Sequence, residues 1–245
     1  MSGLFVTATG TGVGKTLVTA ALLHQLRAEG VRCGARKPVL SGFPDASGEP
    51  SDPELLLLAQ GIDPTPDRVE AIAPWRFRTP LSPDMAAAAE GRRIDFDRLV
   101  AFTREACAAD ERVLVEGVGG VCVPLDETHT VLDWIAACGL PALLVAGSYL
   151  GTLSHTLTAV SVLRARGIAL AGLLLCESPE SPVPLSETRA TLLRFTGELA
   201  CAEIPRIAPG PAPWTRVPPL LQPLGLLAPR GRQPAHEATP TGSAP

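Results

Sequence analysis

Thr7-Ala8-Thr9-Gly10-Thr11-Gly12-Val13-Gly14-Lys15-Thr16 is a run whose residue types and order suit the handling of a phosphate chain. Gly12 and Gly14 allow a tight turn that brings backbone N–H groups against phosphate oxygens. Lys15 offers a point charge to the terminal phosphates, and the Thr16 hydroxyl offers a hard oxygen to Mg2+. Thr9 stands where the common phosphate loop has a glycine. The apolar residues Leu4, Phe5 and Val6 precede the run and an Ala/Leu-rich helical pattern follows it. That strand–loop–helix context favours nucleotide binding over an ordinary glycine turn.

Four further clusters carry groups capable of chemistry. In Lys37-Pro38-Val39-Leu40-Ser41-Gly42, Lys37 ends a predicted strand and its ammonium would sit at the edge of a sheet, at the surface of a cleft. The same position suits an ordinary strand-end lysine. Ser51-Asp52 fits a helix N-cap and first turn without any chemistry, although the Asp52 carboxylate could also reach a metal ion. Glu116 ends the apolar run Val113-Leu114-Val115 and is followed by Gly117, Gly119 and Gly120. An acid there is a familiar metal contact in phosphate-loop enzymes, and the loop upstream favours that role over a plain salt bridge. Leu150-Gly151-Thr152-Leu153-Ser154-His155 opens a helix whose N–H groups and hydroxyls suit a carboxylate. Thr152 reads equally as a simple N-cap, and His155 as a buried, hydrogen-bonded histidine. Asp126, Thr128, His129, Thr130 and Asp133 read as a structural capping group, and Trp75, Trp134 and Trp214 as core or interface aromatics.

The elements that must position these groups alternate. Strands are predicted over 4–7, 33–38, 112–116, 142–146, 169–176 and 202–205. Helices are predicted over 15–29, 52–60, 96–109, 130–138, 152–166 and 185–198, with Gly30 and Gly167 as C-terminal caps. This alternation implies an α/β fold, a mainly parallel sheet with helices on both faces and ligands outside the strand C-termini. The stretches 43–53 and 61–83, rich in Pro, Asp and Ser, read as loops framing a site. No internal repeat stands out. The 245 residues suit one domain over 1–228, with a disordered tail over 229–245.

Net charge is −4, which provides no basic field for nucleic acid or an anionic membrane. No apolar run reaches the length of a membrane span, and the first residues lack a signal-peptide pattern. Six scattered cysteines suit neither a zinc site nor a disulfide framework and read mostly as buried free thiols in a reducing cytoplasm.

Taken in order, these clusters resemble the dethiobiotin synthetase family from about residue 4 to residue 205. The resemblance rests on Thr9–Thr16, Lys37-Pro38-Val39 with Ser41-Gly42, Ser51-Asp52, Val115-Glu116-Gly117 with Gly119-Gly120, Val123-Pro124-Leu125, Leu150-Gly151-Thr152 with His155, and Glu203-Ile204-Pro205. It implies a single-domain P-loop NTPase that carboxylates 7,8-diaminononanoate with CO2 and closes a ureido ring at the expense of ATP. It also implies roles. Lys37, Lys15 and Thr11 are catalytic; Ser41, Gly151, Thr152, Leu153 and Ser154 hold substrate, the last four from the second chain of a homodimer. Gly12, Val13, Gly14, Lys15, Thr16, Asp52, Glu116, Gly117, Gly119 and Cys176 bind ATP, and Thr16, Asp52 and Glu116 hold Mg2+. Departures are Ala8 for the family's first loop glycine, Gly12 for an acid of some members, Cys176-Glu177 for an Asn that reads adenine, and Thr188 for an aromatic near the substrate. From its expected place at the cleft surface, Lys37→Ala should remove activity and spare the fold. The rivals are another amide-forming synthetase of the superfamily and a partitioning or switch ATPase; neither a glutaminase cysteine set nor an extra lysine early in the loop is present.

Overall fold

In a computed structural model, which describes residues 3–44, 48–109 and 112–226, the chain forms the α/β architecture that alternation implies. The elements in order are β1 (Gly3–Ala8), α1 (Lys15–Ala28), β2 (Gly34–Arg36), β3 (Val39–Ser41), α2 (Asp52–Ala59), α3 (Pro66–Ile72), β4 (Trp75–Phe77), α4 (Pro83–Ala89), α5 (Phe96–Ala109) and β5 (Val113–Glu116). There follow α6 (Val131–Cys138), β6 (Ala142–Gly147), α7 (Thr152–Ala165), β7 (Leu170–Cys176), α8 (Leu185–Thr196), β8 (Cys201–Ile204) and a 3-10 turn, Pro213–Arg216. The expected tail from residue 229 lies outside the described residues.

Six strands make one sheet in the order β2-β5-β1-β6-β7-β8, every pair parallel. Parallel strands need crossovers, so helices cover both faces and the central strands are buried throughout. Phe5, Val113, Val115 and Leu144 face one core, where Trp134 packs edge-on against Phe5 with ring centroids 4.7 Å apart. Leu4, Val6, Leu143 and Val145 face the other, beneath α1 and the C-terminal segment. Trp214, Leu220, Leu221 and Leu224 pin that segment to the second core, and the Gln25 side chain bonds Pro218 O and Leu220 N at 2.9 and 2.8 Å. Gly30 and Gly167 adopt left-handed φ of 76° and 70° just past α1 and α7, as C-terminal caps should.

Two sequence expectations change. The strand expected over 33–38 breaks at Lys37-Pro38: proline offers no ladder N–H, and Lys37 N bonds Ile72 O at 2.9 Å instead. The chain then starts a separate two-stranded parallel sheet of β3 and β4. The loop expected over 61–83 contains α3 and β4, and α4 starts at its end. Of the cysteines, Cys107, Cys176 and Cys201 are buried, Cys33 and Cys138 half-buried and Cys122 exposed; none forms a disulfide.

A nucleotide-type cleft at the strand C-termini

β1 delivers the chain to the phosphate loop, and Gly14 turns it into α1 with φ at 102°. A side chain there would be strained, and its Cβ would stand 3.1 Å from Cys176 Sγ. Beside the loop, β5 ends at Glu116 and continues along β1: Gly117 N bonds Val6 O and Val121 N bonds Ala8 O, each at 2.9 Å. A Cβ on Gly120 would lie 3.0 Å from Thr9 O. The glycines after Glu116 thus let two backbones pass in contact at the site.

Lys15 Nζ donates to Gly10 O at 3.0 Å and to Gly119 O at 2.7 Å. Lys37 Nζ donates to Glu116 Oε1 at 2.7 Å and Gly117 O at 2.8 Å, and lies 3.2 Å from Asp52 Oδ2. Thr16 Oγ1 is 2.9 Å from both Asp52 Oδ1 and Glu116 Oε1. Elements separated by up to 104 residues therefore converge on one edge of the sheet. Asp52 reaches it from the first turn of α2, which a reciprocal cap secures: Glu54 Oε2 accepts from Ser51 N at 2.7 Å and Ser51 Oγ at 2.6 Å.

Burial, then repulsion by Lys37, pulls Lys15 down to about 8. Burial also acts against a charged Lys37, but Glu116 and Asp52 more than offset it and hold that ammonium above its ordinary value. Asp52 is held below the usual carboxylate range: burial opposes this, and Lys37 with the Thr16 hydroxyl outweighs burial. Glu116 is fully buried, and its Oε2 has no partner.

A cleft of about 800 Å3 opens over these groups. Thr11, Gly12, Gly14, Lys15 and Thr16 form one side and Lys37, Leu40, Ser41 and Asp52 another. Pro80, Leu81, Ser82, Pro83, Val118 and Val123 complete the wall with Gly119. Of the wall, Pro80, Leu81, Ser82 and Pro83 were not singled out from sequence. The signal lay in Ser82-Pro83, an N-cap type ahead of proline at the first helical position.

Several expected site residues take other places or other roles. Lys37 is only 2% exposed, so it is a buried ion-pair member and not a surface lysine. Val13 is buried beneath the loop, and Cys176 sits under Gly14, its thiol pushed up to about 12 by burial. Cys176 thus supports the loop from below and does not line the cleft. Gly151, Thr152, Leu153 and Ser154 do not line this chain's cleft either. Thr152 Oγ1 is spent on Gly147 O at 2.5 Å, whereas Leu150 is 86% exposed. His155 is exposed rather than buried, with Nδ1 2.9 Å from Tyr149 OH. Asp126 and Asp133 serve turn and capping bonds, as expected. One compositional fact joins the geometry: the chain has two lysines, Lys15 and Lys37, and both stand in this cleft.

A family model described as an AAA domain matches residues 2–210. The ATP-dependent dethiobiotin synthetase BioD of Acidiphilium cryptum is 54% identical over 199 residues, covering 80% of this chain and 89% of the relative. The protein of the same name from Methylobacterium nodulans is 47% identical over 203 residues, covering 80% and 90%. Among solved structures, the Pyrococcus furiosus cell division ATPase MinD superposes with a TM-score of 0.50 at 17% identity over 84% of each chain. That likeness speaks for the fold alone. With the ordered motifs, the cleft and these identities together, the chain belongs to the ATP-dependent dethiobiotin synthetase family.

Proposed function

We propose that this protein joins CO2 to the two amines of 7,8-diaminononanoate, giving dethiobiotin, ADP and phosphate in biotin biosynthesis. The observation that supports this reading most directly is the convergence of Lys15, Lys37, Thr16, Asp52 and Glu116 over one cleft. One amine of the substrate adds to CO2 and loses a proton, giving a carbamate. A carbamate oxygen takes the γ-phosphoryl group from ATP, releasing ADP. The second amine then attacks the carbamate carbon, and phosphate leaves as the ring closes. Phosphoryl transfer brings two anions together, the carbamate and the triphosphate, and the other stages need the reactants placed, so the work falls to charge and placement. Lys15 holds the terminal phosphates. Lys37 and Thr11 hold the carbamate, Ser41 orients the diamine, and Gly12–Thr16, Gly117 and Gly119 wrap the nucleotide. Leu40, Leu81, Val118 and Val123 give the aliphatic chain an apolar wall.

The residues present fit Mg2+. Thr16 Oγ1, Asp52 and Glu116 offer hard oxygens, the hydroxyl within hydrogen-bond reach of both carboxylates, and Glu116 Oε2 is a buried acceptor without a partner. A short protein donor set completed by water is what Mg2+ prefers. When bound with ATP, the ion would offset charge on the phosphate oxygens.

A homodimer places Gly151–Ser154 of a second chain toward the distal carboxylate of the substrate, which accounts for the exposed Leu150. No helix among the described residues is long and apolar enough to cross a membrane, which accords with the cytoplasmic site of action we propose.

Incubation with the diamine, bicarbonate and Mg-ATP, read by mass spectrometry, tests the reaction. The cyclic urea should form only with all three. ATP turnover that ignores the diamine would instead favour a switch ATPase.

A further inference from the structure

Lys37 stands where a cation belongs. Its ammonium donates to Glu116 Oε1 and Gly117 O at 2.7 and 2.8 Å and pairs with Asp52 Oδ2 at 3.2 Å. Two of those acceptors are the carboxylates that, with Thr16, offer the oxygen set for a divalent ion. Lys37 is 2% exposed and Glu116 fully buried, so water screens neither. A divalent ion held by the same two carboxylates would stand close to this ammonium where water does not screen the pair, and the two cations would repel strongly. Lys15 makes no comparable contact, since its bonds go to two backbone carbonyls.

We propose that Lys37 occupies the metal site of the free protein as a built-in counter-ion, and that a divalent cation frees it for the substrate. This rests on the metal reading given above. In the free protein Lys37 neutralises Glu116, which would otherwise be a buried, uncompensated charge. When a divalent ion takes over the carboxylates, the ammonium moves into the cleft, along the wall that carries Leu40 and Ser41. No bond is made or broken; the change exchanges one cation for another. Metal binding thereby positions Lys37, and the ammonium is presented to carbamate only when the partner for the phosphates is already in place.

The test is direct binding of Mn2+ to nucleotide-free protein, followed by electron paramagnetic resonance, in wild type, Lys37→Met, Lys15→Met and Asp52→Asn. Both methionine variants remove one positive charge near the site, but only Lys37→Met removes the occupant. Lys37→Met should bind Mn2+ at least about tenfold more tightly than wild type, and Lys15→Met should fall well short of that. Thermal unfolding adds a second readout. Lys37→Met should lose stability without metal, because Glu116 is orphaned, and Mn2+ should restore more stability to it than to wild type. Equal tightening in the two variants, or weaker binding in Lys37→Met, would overturn the exchange and leave the metal reading standing. Mn2+ binding to Asp52→Asn as tight as to wild type, or none to any protein, would overturn the metal reading and the exchange together.

Discussion

The two lysines of the cleft rest in opposite electrostatic states, and that difference sets their pH behaviour. Lys15 sits at about 8 because burial and Lys37 disfavour its charge, while its hydrogen bonds reach only neutral carbonyls. The unfolded chain binds this proton up to the ordinary lysine range, so between about 8 and 10.5 it holds more protons than the free folded protein. The Lys15 contribution to stability therefore rises with pH across that window, and Lys15→Met should remove it. A triphosphate beside Lys15 restores the preference for the ammonium. ATP binding at pH 8.5 (roughly where Lys15 is partly neutral) should accordingly take up protons. Calorimetry in two buffers of different ionisation enthalpy should show this uptake at that pH and lose it at about pH 6.5. The types of these residues were legible in the sequence; their burial was not. Lys37 looked like a strand-end lysine because its partner, Glu116, lies 79 residues away. Its removal should consequently weaken the metal-free fold. Lys37→Ala should cost about 3–5 kcal/mol in the metal-free protein, as loss of one member of a buried pair does, and urea unfolding measures it.

At the scale of elements, legibility followed length. α5 occupies 96–109 as expected because Leu99, Val100, Thr103, Ala106 and Cys107 recur at helical spacing along its buried face. β1, β5 and β6 are continuous apolar runs and stand within two residues of their expected ends. The elements missed, β3, α3, β4 and α4, are three, seven, three and seven residues long, too short for a period to declare itself. Only Thr65-Pro66 and Ser82-Pro83, cap types followed by proline, marked two of their starts. The cap of α2 matters more than its size suggests, since Asp52 is its first residue. Ser51→Ala should cost about 1 kcal/mol of stability, as cap deletions do. It should also raise the Mg2+ concentration for half-maximal activity more than it lowers the limiting rate, since a frayed first turn moves Asp52 away from Thr16.

The whole molecule gathers its reactive groups at one edge of the six-stranded parallel sheet, and the expected turn Gly151–Ser154 lies outside this cleft beside the exposed Leu150 and Leu153. If a second chain completes the site, Leu150→Arg should reduce the mass in sedimentation from two chains to one. It should also weaken diamine binding severalfold while nucleotide binding is kept. The placement of both lysines has a practical reach as well. A protease specific for lysine has one bond to cut, Lys15–Thr16, because Pro38 shields the bond after Lys37. That bond lies where the phosphate loop enters α1, so native-state digestion reports only those openings, local or global, that free this one point of the chain.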